Sequence, residues 1–266
     1  MRSVIVAVGI GIAGGLSGCD ERPAGGPKME TRVVESRDGE TVLKGYLAYN
    51  PTKSSLSPAV IVIHDWWGQG EFAKKTAERM AALGYAGFAA DMYGDAKLVG
   101  TPKEAGELAG ANRAEKAAMG RRRAKLAYEA VTALPFVDKD RVAVLGFCFG
   151  GTMSLELAWS GVPVKAAISF HGTPTAPQEG DSWTSDVLIL HGADDPFVPA
   201  DMLTAFESAL RAKKAAYELV SYSGALHSFT DPGVDKHGLE GAKYNARAAT
   251  RAFARCEAFL AESLAR

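Results

Sequence analysis

Three cysteines in 266 residues are too few for a disulfide framework, so a small bridge-stapled fold is excluded. Neither sign of charge dominates: Lys+Arg 30 against Asp+Glu 31 leaves a formal net charge of -1. No long basic run is present, which argues against a nucleic-acid surface. Arg121-Arg122-Arg123 is the one cationic cluster, and it reads as a solvated helix face. Internal repeats are absent. What the chain does have is 47% hydrophobic composition, enough to bury a large core. At this length an α/β fold is often a single domain.

The apolar run at the start is short. Val4 to Gly15 follows Arg2 and falls short of an ordinary membrane span, but it has the layout of a signal peptide, expected over 1–18. Leu16-Ser17-Gly18-Cys19 then resembles the lipobox of bacterial lipoproteins. That resemblance implies cleavage before Cys19 and lipid on its thiol. The mature protein would be exported and held by its lipid at a bacterial membrane, facing the periplasm or the exterior. Residues 19–30, polar with Pro and Gly, read as a tether. The folded domain is expected over 31–266.

From there strands and helices alternate. Thr31 to Leu47 reads as a hairpin turning at Arg37-Asp38-Gly39. Ala59 to Ile63 is an apolar, β-branched run, hence a strand covered on both faces. Phe72 to Leu83 has helical spacing and stops at Gly84. Further strands are expected at 85–90, 142–146, 164–170, 187–191 and 218–222. Helices are expected over 102–133 (one or two), 152–158, 202–212 and 244–264. The pattern implies a mostly parallel sheet with helices on both faces. Thr173 to Asp186 is a polar loop whose shape the pattern does not give.

The most informative stretch is Gly146-Phe147-Cys148-Phe149-Gly150-Gly151, between an apolar strand and a helix. Small residues two before and two after a central nucleophile form the nucleophile-elbow pattern. The turn strains the central residue, and its flanks must lack bulk so that strand and helix can pass closely. Here the nucleophile is Cys, whose thiolate needs less help from a base than an alcohol does. Without partners, Cys148 would be one more buried apolar cysteine. The chain order for such a sheet is nucleophile, acid, histidine. Asp195 sits just past one strand end and His227 just past the next, where sites form in open α/β sheets. Asp195 would orient the His227 imidazole, and His227 would take the thiol proton. Asp194 reads as a turn residue. The backbone N–H groups of Phe149 and Trp66 are the oxyanion-hole candidates. Asp65 faces the thiol or caps the helix that begins near Gly70-Glu71.

These blocks, with His64-Asp65-Trp66-Trp67-Gly68 and Asp91-Met92-Tyr93, resemble the dienelactone hydrolases, cysteine members of the α/β-hydrolase superfamily. The resemblance spreads over Thr31 to Arg266. It implies an α/β-hydrolase fold and hydrolysis of a small-molecule ester or lactone through a thioester, with Cys148 as nucleophile, Asp195 as orienter and His227 as base. It also implies that a Glu in the loop after the first central strand helps to deprotonate the thiol; here Asp65 holds that position, one methylene shorter. Enzymes of the family that act on anionic dienelactones place an Arg four residues after the His. Here that residue is Asp231, which would repel an anionic ligand. A second family arginine lies between Asp91 and the elbow, with Arg113 one option among several.

The remaining candidates are weaker. Trp66 and Trp67 wall an apolar pocket or pack in the core. His64 and His171 lack a third ligand at standard spacing, so no metal and no cofactor is assigned. Cys256, among Phe253, Phe259 and Leu260, reads as packing. Two other functions fit the same features: an acyltransferase or thioesterase on the same triad, and a catalytically silent lipoprotein that binds a ligand.

Overall fold

The computed structural model describes residues 28–265. The expected signal peptide at 1–18, the lipidation residue Cys19 and nearly all of the expected tether lie outside the described residues. Among the described residues, no helix is long and apolar enough to cross a membrane.

One sheet of eight strands organises the chain, in the order β1 (Glu30–Asp38), β2 (Thr41–Tyr49), β4 (Ala86–Ala90), β3 (Ser57–Ile63), β5 (Val137–Phe147), β6 (Ala166–Phe170), β7 (Asp186–Gly192), β8 (Tyr217–Tyr222). β1 and β2 form the expected antiparallel hairpin, and β2 runs antiparallel to β4. Every other neighbour pair is parallel. The α/β-hydrolase expectation therefore holds.

The side-chain period of two explains how the sheet is covered. In β3, Ile61 and Ile63 point into one core while Val60 and Val62 point into the other, all fully buried. The second core is closed by α1 (Glu71–Ala82) and α5 (Ala246–Leu264). The first is closed by α2 (Pro102–Thr132), α3 (Phe149–Trp159) and α4 (Ala200–Ala212). Every residue of α3 is buried, since the helix lies between the sheet and α2. Burying one Val, Leu or Ile side chain stabilises by about 1.5–3 kcal/mol, whereas ordinary helix-propensity differences stay below about 0.7 kcal/mol. Apolar pattern therefore outweighs propensity in deciding these elements.

One detail departs from the expectations, and another resolves the one-or-two-helix alternative over 102–133 in favour of two. Of Arg121-Arg122-Arg123 only Arg122 is solvated. Arg121 binds Glu156 of α3 at 2.7 Å and Asp181 at 2.6 Å. Arg122 and Arg123 both bind Asp38 of the hairpin, and Arg123 also donates to the Met92 carbonyl at 2.8 Å. Together the two guanidiniums hold the Asp38 carboxyl down at about 2. Consecutive helical residues fan out by roughly 100° each, so three in a row cannot all face solvent on a packed helix. The helix itself is broken: Ala114 is extended, and Glu115, Lys116 and Ala117 have φ of 50, 60 and 59°. Neither Gly nor Pro stands at the break.

The loop at 173–185 is ordered by its neighbours. Trp183 packs edge-on against Trp159 at 5.3 Å, Ser182 bridges to Ser160, and Asp181 is clamped by Arg121.

Candidate active site

Cys148 joins β5 to α3 with φ 51° and ψ −112°, a conformation that a side-chain-bearing residue adopts only under constraint. The flanking glycines are needed sterically. A Cβ on Gly146 would collide with the Gly150 carbonyl oxygen, and one on Gly150 would collide with the Ile63 carbonyl oxygen. The Phe149 amide is the first of α3 and so belongs to the first-turn N–H groups that lack an intrahelical acceptor.

Asp195 and His227 meet as expected. His227 Nδ1 lies 2.7 Å from Asp195 Oδ2, and the other carboxylate oxygen accepts from Phe197 N at 2.8 Å. Gly192 makes the meeting possible, because a Cβ there would stand 2.6 Å from the Ala225 carbonyl oxygen on the loop that carries His227. The His227 backbone is fixed in turn by Gly241 O and Lys243 N. Asp194 is exposed, in keeping with a turn role. The Cys148 side chain is close enough to His227 to act on the charge of its ring. Burial works against a charged imidazole, but the Cys148 sulfur and the Asp195 carboxylate outweigh it and hold the His227 pKa well above its ordinary value.

The loop after β3 forms the opposite wall. Asp65 Oδ1 accepts from Trp67 N at 2.8 Å, while Tyr93 Oη donates to the Trp66 carbonyl at 3.0 Å. The Trp66–Trp67 peptide is thus held at both ends. Asp65 does not cap α1, whose N-cap is Gly70 with no side-chain bond. Packing around the Asp65 carboxyl pushes it up to about 7, with the Asp231 carboxylate adding to the rise and Lys236 and His227 opposing it. His64 is a structural link: Nε2 accepts from Met92 N at 3.2 Å and Nδ1 donates to the Asp65 carbonyl, and burial holds it neutral with a pKa of about 4.

A groove of about 670 Å³ opens beside this wall, between α1 and α5, and is lined by Asp65, Trp67, Phe72, Asp231 and Phe253 among others. Trp67 takes the pocket role and stacks on His237 at 3.9 Å, whereas Trp66 packs against the core. Arg113 reaches the site too, with its guanidinium 5.5 Å from the Phe149 ring centre and its charge acting on Tyr93. Cys256 is fully buried in the second core, and burial raises its thiol pKa, as a packing residue requires.

Residue patterns alone missed Tyr93, Thr230 and the role of His171. The signal for His171 was its place just past the strand next to the elbow strand. Its ring lies 5.4 Å from that of His227.

Comparison with known proteins gives the family and the fold. The model of the dienelactone hydrolase family matches residues 43–264. A crystal structure of a dienelactone hydrolase-like promiscuous phosphotriesterase from metagenomic libraries superposes with a TM-score of 0.85 at 37% identity, covering 88% of this chain and 98% of that one. A Saccharolobus solfataricus protein named for carboxymethylenebutenolidase activity is 27% identical over 87% of this chain and 98% of its own length. A Bradyrhizobium protein named as a 2-oxo-3-(5-oxofuran-2-ylidene)propanoate lactonase is 27% identical over 72% of this chain and 80% of its own.

Proposed function

The chain belongs to the dienelactone hydrolase family and is an ester or lactone hydrolase, and we propose that it works through a thioester on Cys148 with His227 as base and Asp195 as orienter. The observation that carries this reading is the His227 ring, bonded to Asp195 through Nδ1 and acted on by the Cys148 side chain at the strained turn. Cys148 Sγ attacks the carbonyl carbon while His227 holds the thiol proton. The oxyanion that forms is received by the backbone N–H groups of Phe149 and Trp66. Collapse breaks the C–O bond, and His227 returns its proton to the leaving alkoxide. Water, deprotonated by His227, then cleaves the thioester and restores the thiol. In this reading Asp65 acts through its loop, by holding the Trp67 amide and so aiming Trp66 N–H, rather than by touching the sulfur.

Iodoacetamide tests the assignment in a Cys19→Ser protein, because of the two cysteines among the described residues Cys256 is 0% exposed and Cys148 is not. One equivalent bound at Cys148 should end turnover of a panel of neutral esters and lactones. Full activity after that alkylation would refute the thiol mechanism. Added methanol would expose transesterification if an acyl acceptor other than water is used. A phosphotriester belongs on the panel because the relative at 37% identity is named for that activity.

Substrate charge is a further part of the proposal. Asp231 acts electrostatically on Asp65 and Lys236 opposes it, so a substrate carboxylate bound beside Asp65 meets two acids; both acids line the groove, which Cys148 and His227 do not. One like charge in a partly dry site costs on the order of 1 kcal/mol, roughly fivefold in kcat/KM. Asp231→Arg should therefore raise kcat/KM for an anionic lactone about fivefold, leave a matched neutral ester within about twofold, and lose the difference at high salt. Equal effects on both substrates would show that Asp231 does not read charge.

Export and lipidation at Cys19 complete the proposal, supported by the signal-like run and Leu16-Ser17-Gly18-Cys19. Mass spectrometry of protein from the membrane fraction should find a chain that begins at a lipid-bearing Cys19. Retention of Met1 would refute it.

A further inference from the structure

His171 stands just past β6, 2% exposed, with its backbone in the left-handed region at φ 41°. Its own N–H donates to Leu190 O at 2.9 Å. The two ring nitrogens reach in different directions. Nδ1 lies 3.2 Å from the Cys148 amide nitrogen, which also donates to Phe170 O at 3.0 Å. Nε2 lies 2.8 Å from Thr230 Oγ1. A backbone N–H can only donate, so Nδ1 accepts and the ring proton sits on Nε2, donating to the threonine. Thr230 is 1% exposed and lies three residues after His227 on the same loop. The ionisable groups facing the ring are His227, His191 and Cys148. Burial, then the positive charge of His227, keeps His171 neutral.

This bridge joins the two halves of the chemistry by a path that avoids Asp195. One end holds the strained backbone of the nucleophile, and the other holds the loop that carries the base. Building on the triad reading above, we propose that His171 is a positioning residue that sets the spacing between Cys148 and His227. Asp195 orients the imidazole; His171 holds the elbow and the base loop in register. A misplacement of about 1 Å can cost on the order of 100-fold in rate, so a buried rigid ring suits this task.

Three variants separate its two bonds. His171→Phe keeps a ring and loses both. His171→Asn keeps an acceptor near the Nδ1 position and tolerates a left-handed backbone. Thr230→Val removes the far end with little change of volume. We expect His171→Phe to lower kcat about 30- to 100-fold with KM within about twofold, and Thr230→Val to lower it about tenfold. His171→Asn should recover part of the loss. The double variant H171F/T230V should be no worse than H171F, because both cut one path. The pH profile of Cys148 alkylation by iodoacetamide should shift in H171F and T230V, which a role in stability alone would not cause.

The inference is overturned if folded H171F and T230V keep kcat within about threefold of wild type, if their losses multiply, or if the alkylation profile does not move. Should H171F fail to fold, T230V and H171N carry the same expectations. Cys148→Ala run in parallel keeps the two ideas apart. An active Cys148→Ala sinks the triad reading itself, while an inactive one beside unaffected H171F and T230V sinks only the role of His171.

Discussion

Cys148→Ala should reduce turnover to background while the protein stays folded. In the proposed mechanism the sulfur forms the covalent intermediate, so its loss removes a reaction path rather than a contact. Loss of one member of a nucleophile–base unit typically costs on the order of 10⁴-fold or more in kcat. The packing cost is small by comparison. Cys148 is half-buried, and a single heavy atom disappears from a position packed against the first core. That is worth about 1 kcal/mol, too little to unfold a domain with two extensive cores. The Phe149 and Trp66 amides survive the change, so Cys148→Ser should show traces of activity, limited by an oxygen that is a poorer nucleophile at neutral pH. Initial rates on a neutral ester, beside circular dichroism and a thermal melt, check both halves. More than about a tenth of wild-type kcat in the Ala variant would remove Cys148 from the mechanism.

His227→Ala and Asp195→Asn should follow in that order of severity. In the proposed mechanism His227 moves the proton in both half-reactions, and general-base catalysis contributes about 10²–10⁴-fold. Asp195 acts one step away, through the 2.7 Å bond to Nδ1. An Asn there can present its NH₂ to Nδ1, which moves the ring proton to Nε2 and blocks the side that must accept from the thiol. A fall in kcat of about 10³-fold is expected, with KM little changed. The pH dependence carries a sign. The Asp195 carboxylate is among the groups that raise the His227 pKa. Without it the imidazole loses its proton at lower pH, so the alkaline edge of the imidazolium range moves down. A histidine NMR titration of both proteins reads this directly, and an upward move would contradict the role given to Asp195.

The parts of this molecule that were legible in the sequence share a cause. Val60 to Ile63 and Val142 to Leu145 must be covered on both faces, whatever lies around them, because their apolar pattern outweighs local propensity. Cys148 between Gly146 and Gly150 names its own turn, since no other residue types let strand and helix pass so closely. Asp195 and His227 follow once strand ends are known. What stayed hidden depends on which partner a side chain finds in space. Arg121 and Arg123 read as solvated until α3 and the hairpin supply Glu156, Asp181 and Asp38. Asp65 offered two roles from sequence, and the structure gives its oxygen a third partner, the Trp67 amide. The role of His171 was hidden because its two partners, the Cys148 amide and Thr230, lie 23 and 59 positions away. That two helices fill 102–133 was one of the two alternatives read from sequence, but the position of the break at Ala114 to Ala117 has no signal in residue type.

The most direct test is to catch the covalent intermediate. Enzyme turning over a slow ester is quenched in acid and weighed intact, then digested and mapped. A Cys148 thioester predicts a mass gain equal to the acyl group, located on the peptide that contains Cys148, released by neutral hydroxylamine, and absent from the Cys148→Ala protein. Steady turnover with no acyl adduct under conditions where alcohol is released in a burst, or an adduct on any other residue, would contradict it.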